Sequence, residues 1–129
     1  MKQLIFMLLT VVSASAAIAQ TKVADAAKFN SLKIDLGKVK QGEPATAIFK
    51  ITNISSKPLV IEQAHPGCGC TVADYTQQPI EPNKTGFIKA TYNAANTGAF
   101  TKTITVKFTG IDEAQTITLT GEVLAPNKE

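Results

Sequence analysis

The chain has 129 residues with 13 basic and 10 acidic side chains, which gives a formal net charge of +3. All the basic residues are lysines, scattered along the chain, and the sequence contains no arginine and no tryptophan. Nucleic-acid binding requires a basic patch, usually with arginine and stacking aromatic side chains, so this composition argues against it. A chain of this length corresponds to one domain.

The N-terminus has the pattern of a secretory signal peptide. Lys2 provides a positive start, a short apolar run follows, and Ala17-Ile18-Ala19 places alanine at the −3 and −1 positions of a cleavage site. We therefore predict a signal peptide over residues 1–19, cleaved before Gln20, and an exported chain that is periplasmic or secreted. The uncharged run falls short of the ~20 strongly apolar residues of a spanning helix, so we expect no membrane span in the mature chain.

After the signal peptide, the sequence predicts one β-rich domain between two short terminal segments. Residues 20–31 show no sustained pattern and are predicted to be a flexible lead-in, and residues 125–129 a C-terminal tail. In residues 32–124, apolar and polar side chains alternate in segments that turn-forming residues separate, which predicts strands. The predicted strands cover residues 32–36, 45–53, 59–64, 71–73, 85–93, 99–109 and 115–123.

The number and spacing of these strands define the expected fold class. Short strands at intervals of roughly 8–14 residues, with no convincing helix, predict an all-β fold, namely an immunoglobulin-like β-sandwich of about seven antiparallel strands. A small closed barrel is the alternative. The one-sided alternation indicates that each sheet has one face in water and the other in a shared core.

One short stretch, residues 64–71, contains the only two cysteines and the only histidine, namely Cys68, Cys70 and His65. Two cysteines in an exported chain normally form a disulfide. In an ideal strand the two Cβ atoms would lie roughly 6–7 Å apart, whereas a disulfide needs about 3.5–4.5 Å, so a bridge requires a tight turn at Gly69. Closing such a small ring contributes only about 1.6 kcal/mol of chain entropy, and a strained bridge of this kind exchanges easily.

Four roles for this stretch remain open from the residues alone. The cysteines can be structural, bridged or buried at a strand end. Thiolates of Cys68 and Cys70 with a nitrogen of His65 can form a soft-metal site for copper or zinc. The pair can exchange disulfides with a partner, or Cys and His can form a nucleophilic dyad, for which no orienting group or oxyanion hole is recognisable.

Several blocks of the chain resemble the bacterial domain-of-unknown-function family 1573, which is similar to the immunoglobulin-like domains of the Hydin and major-sperm-protein group. The blocks that carry the resemblance are Pro58-Leu59-Val60-Ile61, Gly67-Cys68-Gly69-Cys70-Thr71, Pro79-Ile80-Glu81-Pro82-Asn83-Lys84-Thr85-Gly86, Gly98-Ala99-Phe100 and Leu119-Thr120-Gly121-Glu122-Val123. The resemblance covers about residues 32–123. It implies the sandwich fold and export, and it brings no established activity.

The sequence contains no phosphate-binding loop, zinc-protease motif or serine elbow. We therefore expect a non-enzymatic exported module without a cofactor. Its partner is predicted to be an unidentified protein or another component of the cell envelope, bound through a sheet face, a strand edge or the loop at residues 68–75. The alternative is copper or zinc binding, or a thiol-redox role, at the Cys-Gly-Cys turn.

Overall fold

The computed structural model describes residues 22–126, so the predicted signal peptide lies outside the described residues. Residues 22–126 form one helical turn and eight strands. Their bounds are α1 Val23–Ala26, β1 Ala27–Phe29, β2 Lys33–Lys40, β3 Ala45–Asn53, β4 Ile61–Pro66, β5 Thr71–Tyr75, β6 Thr85–Tyr92, β7 Gly98–Phe108 and β8 Gln115–Leu124. With four residues, α1 is the longest helix of the described part and is far too short to cross a bilayer.

The strands form two four-stranded sheets, in the orders β1-β3-β6-β5 and β2-β8-β7-β4. The inner faces of both sheets contribute to one hydrophobic core. The predicted all-β, immunoglobulin-like sandwich is thereby confirmed, and the two separate sheets exclude the closed barrel. The predicted number of strands, about seven, was too small, because the described residues form eight strands and an isolated bridge between Leu59 and Ile80.

The prediction that all strands are antiparallel was wrong for one pair. β2 and β8 run parallel, with Ile34 opposite Leu119 and Val39 opposite Val123. Parallel neighbours need a long connection, and here the whole intervening domain provides it, since the two strands lie near its two ends. The sheet is therefore mixed, and an irregularity between Asp35 and Lys38 interrupts its parallel ladder.

The structure differs from the predicted flexible lead-in over residues 20–31. From Val23 onward this segment is ordered by tertiary contacts, since α1 places Val23 in the core and β1 pairs antiparallel with the end of β3. Three residues are too few to show an alternating pattern, so β1 could be recognised only from its partner strand. The sandwich accordingly begins before residue 32.

The core follows the alternation that the sequence predicts. In β3, Ala47, Phe49 and Ile51 point inward between exposed neighbours. The same pattern holds in β6, β7 and β8. The largest fully buried apolar side chains are Phe49, Phe108, Ile51, Ile88, Ile104, Ile117 and Leu119. Burial of such side chains contributes about 1.5–3 kcal/mol each, so the core supplies the main stabilising term of the fold.

Candidate functional site

The loop that contains the cysteines, residues 67–70, crosses from one sheet to the other. It follows β4 and leads into β5, the edge strand of the opposite sheet. The N–H of Gly67 donates to the carbonyl oxygen of Thr103 on β7 at 3.0 Å, and the N–H of Asn93, beyond β6, donates to the carbonyl oxygen of Cys70 at 3.0 Å. The loop is therefore fixed to both sheets at one end of the sandwich.

Cys68 and Cys70 are joined by a disulfide within this loop, with their Cα atoms 5.4 Å apart. Residues i and i+2 of an ideal strand lie roughly 6.4–6.8 Å apart, so the chain here is more compact than a strand. The turn does not depend on glycine's conformational freedom, because Gly69 lies outside the left-handed region and a Cβ atom at this position would have no neighbour within 4 Å. Both cysteines are half-buried, and Cys70 packs against the hydrophobic core.

The hydroxyl group of Thr71 lies close to both sulfur atoms of the disulfide. Thr71 is buried, and its Oγ1 atom is 3.9 Å from the Sγ atoms of both Cys68 and Cys70. Sulfur is a weak hydrogen-bond acceptor and the hydroxyl hydrogen rotates, so this group can donate to either sulfur atom. The first residue of β5 thus places a polar donor at the bond that would break on reduction.

The bridge borders a small open depression, which Gly67, Cys68, Thr101, Lys102 and Thr103 line. The Nζ atom of Lys102 is 5.5 Å from the ring centroid of Tyr92, within the range of a cation–π contact. The Tyr92 ring is buried and packs on Phe100 with ring centroids 4.3 Å apart. These contacts hold the lysine ammonium group over the same end of the sandwich as the disulfide.

His65 lies on β4 opposite Thr105, and its side chain is exposed. The two sulfur atoms are bonded to each other, and within residues 22–126 no three His, Cys, Asp or Glu side chains are grouped so that they could hold a metal ion. The geometry thus brings Cys68 and Cys70 together without His65. Copper or zinc binding stays a prediction, and it requires reduction of the bridge and rearrangement of the loop.

A second surface feature lies on the outer face of the β1-β3-β6-β5 sheet. Ile48 on β3 and Phe87 on β6 are 50% and 44% exposed and line one shallow groove with Lys50 and Lys89. In the strand register Ile48 faces Lys89 and Lys50 faces Phe87, so the two apolar side chains are diagonal neighbours. We call these four residues the Ile48–Phe87 patch.

A row of lysines crosses the same face. Lys28 on β1 is diagonal to Lys50, since Lys28 pairs with Thr52, and Lys50 is diagonal to Lys89. The one acidic side chain that continues this row is Asp74 on β5, which lies opposite Lys89. Three lysines and one aspartate give this face a local excess of positive charge beside its apolar pair. Like charges on neighbouring strands repel each other.

The outer face of the other sheet has a different character. Among its described strands, the one exposed large apolar side chain is Leu124, at the end of β8. The outward positions of β7 and β8 carry mainly threonine, namely Thr101, Thr103, Thr105, Thr116, Thr118 and Thr120. Isolated exposed hydrophobic side chains are normal, so the diagonal pair of Ile48 and Phe87 is what distinguishes the first outer face from the second.

Sequence reasoning singled out the cysteines but not Thr71, Lys102 or the Ile48–Phe87 patch. The alternation of apolar and polar residues predicted that Ile48 and Phe87 point away from the core. Two apolar residues at outward positions were the signal that the sequence offered for a surface site. Their proximity depends on the register between β3 and β6, which no local pattern contains. The contact of Lys102 with Tyr92 likewise arises only when the two sheets are packed, whereas Thr71 lies within three residues of both cysteines.

The two packed sheets described above define an immunoglobulin-like β-sandwich. The chain belongs to the family described as protein of unknown function (DUF1573), whose model matches residues 27–123. A search of curated proteins finds no match to this sequence. The expected family is therefore confirmed, and membership assigns no activity.

Solved structures show the same fold at low sequence identity. A protein of unknown function from Porphyromonas gingivalis W83 is similar with a TM-score of 0.66 and 16% identity over 82% of this chain and 51% of its own. The ASH / PapD-like domain 7 of human CEP192 has a TM-score of 0.64 and 12% identity, over 90% of this chain and 97% of the domain. The YadV chaperone has a TM-score of 0.58 and 14% identity, over 81% and 55%. This chain spans about half the length of the P. gingivalis protein.

Proposed function

We propose that the chain is an exported, non-enzymatic interaction module. It binds a segment of another cell-envelope protein in which acidic residues lie beside apolar ones, and the Ile48–Phe87 patch forms the binding surface. The observation that carries this proposal is the contrast between the two outer faces, of which only one combines paired apolar side chains with a row of lysines. The domain of CEP192 and the YadV chaperone are built on the same fold.

Charge complementarity determines the expected chemistry of the partner. Lys28, Lys50 and Lys89 cross three adjacent strands on this face, so an anionic segment would relieve their mutual repulsion. Apolar side chains of the same segment would cover Ile48 and Phe87. Because the charges are exposed, binding should weaken as the salt concentration rises.

Export is part of the proposal and rests on the N-terminal sequence pattern. The test is to isolate the chain from the periplasmic and extracellular fractions and to sequence its N-terminus. We expect a mature chain that begins at Gln20 in one of these fractions. Recovery of the uncleaved chain from the cytoplasm alone would contradict export.

The binding surface is tested by cross-linking in cells that export the chain. A photoreactive amino acid replaces Phe87 in one variant and Thr118, on the opposite outer face, in a matched control. We expect position 87, but not position 118, to form one dominant cross-link to an exported protein, through a segment that contains acidic and apolar residues. Equal cross-linking from both positions, or none from position 87, would contradict the proposed surface.

A second candidate function is thiol–disulfide exchange at Cys68 and Cys70. The observation that favours it is the placement of the bridge in a half-exposed loop with the Thr71 hydroxyl 3.9 Å from both sulfur atoms. A disulfide that served only as a cross-link would gain little here, since it spans a single intervening residue. This role and the binding role use different parts of the sandwich and are compatible with each other.

A further inference from the structure

We propose that the disulfide is built for exchange in one direction: a partner thiolate attacks the Sγ atom of Cys68, and the Sγ atom of Cys70 is the leaving group. This inference rests on the second candidate function, thiol–disulfide exchange. The substrate class is an exported protein with a dithiol–disulfide pair that carries negative charge around its reactive sulfur.

The two sulfur atoms differ in their surroundings. Cys68 lines the open depression between the loop and β7, whereas Cys70 belongs to the side chains that pack against the core. A nucleophile must approach a disulfide along the sulfur–sulfur axis, from the side opposite the leaving sulfur. Because Cys68 lines the open depression and part of Cys70 is covered by the core, we infer that the partner thiolate reaches Cys68 more easily.

The first step forms one bond and breaks one. The partner thiolate donates an electron pair to Sγ of Cys68 and forms a mixed disulfide, while the pair of the broken bond remains on Sγ of Cys70. The hydroxyl of Thr71 can donate a hydrogen bond to the new thiolate of Cys70, which later takes a proton from water. Because Thr71 Oγ1 is equally far from both sulfur atoms, it can stabilise either leaving thiolate, and the direction of attack rests on the different exposure of the two cysteines.

The second step completes a balanced two-electron exchange. A second thiolate of the partner attacks the partner's own sulfur in the mixed disulfide and releases Cys68 as a thiolate. The chain is then reduced at both cysteines, and the partner's dithiol is oxidised to a disulfide. The reverse sequence reoxidises the chain with a partner disulfide.

Lys102 determines which thiolates approach fastest. Lys102 lines the depression together with Cys68, and its ammonium group lies over the Tyr92 ring at the same end of the sandwich. A positive charge at this end of the sandwich attracts anionic nucleophiles toward the depression, and the effect is largest at low ionic strength. A partner with acidic residues near its reactive thiol is therefore preferred.

The test uses the purified, oxidised mature chain and three small thiols at one pH and low salt. The thiols are 3-mercaptopropionate, 2-mercaptoethanol and cysteamine, which carry negative, zero and positive charge outside the sulfur. The mixed disulfide is trapped by alkylation, and tandem mass spectrometry locates it. We expect the added thiol on Cys68 and the alkyl group on Cys70.

Substitutions at Lys102 and Thr71 test the contribution of each residue to the exchange rate. K102Q should lower the rate for 3-mercaptopropionate by roughly threefold or more relative to cysteamine, whereas K107Q, a matched loss of charge on the same strand, should leave this ratio unchanged. T71V should slow all three thiols, and T71S, which keeps the hydroxyl, should react like the parent chain. Thermal unfolding of each variant checks that it is folded.

The outcomes distinguish the direction of exchange from exchange itself. A mixed disulfide located mainly on Cys70 overturns the directed attack while thiol exchange remains. A K102Q variant with unchanged charge preference overturns the proposed preference for anionic partners. A bridge that reacts with no thiol in the folded chain, but reacts readily in urea, overturns the exchange function as well.

Discussion

Asn53 shows how one buried polar side chain can hold several loops together. It is fully buried at the end of β3, where its Nδ2 group donates to the carbonyl oxygens of Lys57 and Ile80 at 2.7 and 2.8 Å. Its Oδ1 atom accepts from the backbone N–H and the hydroxyl of Ser55 at 2.9 and 2.7 Å. From the sequence, Asn53 is only the last residue of a strand.

Replacing Asn53 with alanine is expected to destabilise the protein by about 2–4 kcal/mol, because the four hydrogen bonds of its buried amide group are lost. Urea unfolding measures this change. N93A is the control: the exposed Asn93 uses its side chain for one hydrogen bond, to the N–H of Ala95 at 3.1 Å, and should cost less than about 1 kcal/mol. Equal losses for both variants would contradict the role of Asn53.

Gly69 is less important for the turn between the cysteines than the sequence predicts. The expected tight turn suggests a need for glycine, yet its backbone lies outside the left-handed region and the space around it is open. G69A should therefore keep the disulfide, and stability should be unchanged or rise by up to about 1 kcal/mol, because alanine restricts the unfolded chain. Urea unfolding of the oxidised protein, with a thiol assay, checks this, and a loss of stability or a free thiol would contradict it.

At the scale of elements, strands with long alternation were predictable and pairings were not. β3 was predicted with its observed ends, and β7 and β8 to within a residue or two, because their alternating side chains record which face is buried. β4 begins at Ile61 rather than at Leu59, which forms only an isolated bridge to Ile80. No local sequence pattern indicates that β2 pairs with β8 in parallel.

Close packing between β8 and β2 gives a prediction for Gly121. A Cβ atom there would lie 2.7 Å from Cζ of Phe100 and 2.8 Å from the carbonyl oxygen of Gly37. The carbonyl is backbone and cannot easily move, so G121A should cost about 1–3 kcal/mol in urea unfolding. G69A makes the same chemical change in open space and is the matched control, and a G121A variant as stable as G69A would contradict the packing.

At the scale of the whole molecule, the fold class followed from the sequence, but the candidate sites did so only in part. Two-layer burial leaves a period-two pattern in every long strand, and the cysteines could be found by composition alone. The Ile48–Phe87 patch depends on the register of β3 against β6, and the surroundings of the disulfide depend on how one sheet meets the other. Such relations join residues far apart in the sequence, so no local pattern encodes them.

The central claim is that the sandwich binds a partner through the Ile48–Phe87 patch. The most direct measurement is the affinity of the cross-linked partner for the purified chain, for the I48T/F87T variant and for the control T103S/T118S. Threonine is the residue that the opposite outer face already carries at comparable strand positions, so the double variant should remain folded. We expect I48T/F87T to lose tenfold or more in affinity, about 1.4 kcal/mol or more, while its thermal unfolding midpoint stays close to that of the parent chain and the control binds normally. An unchanged affinity in a folded I48T/F87T variant would contradict the claim.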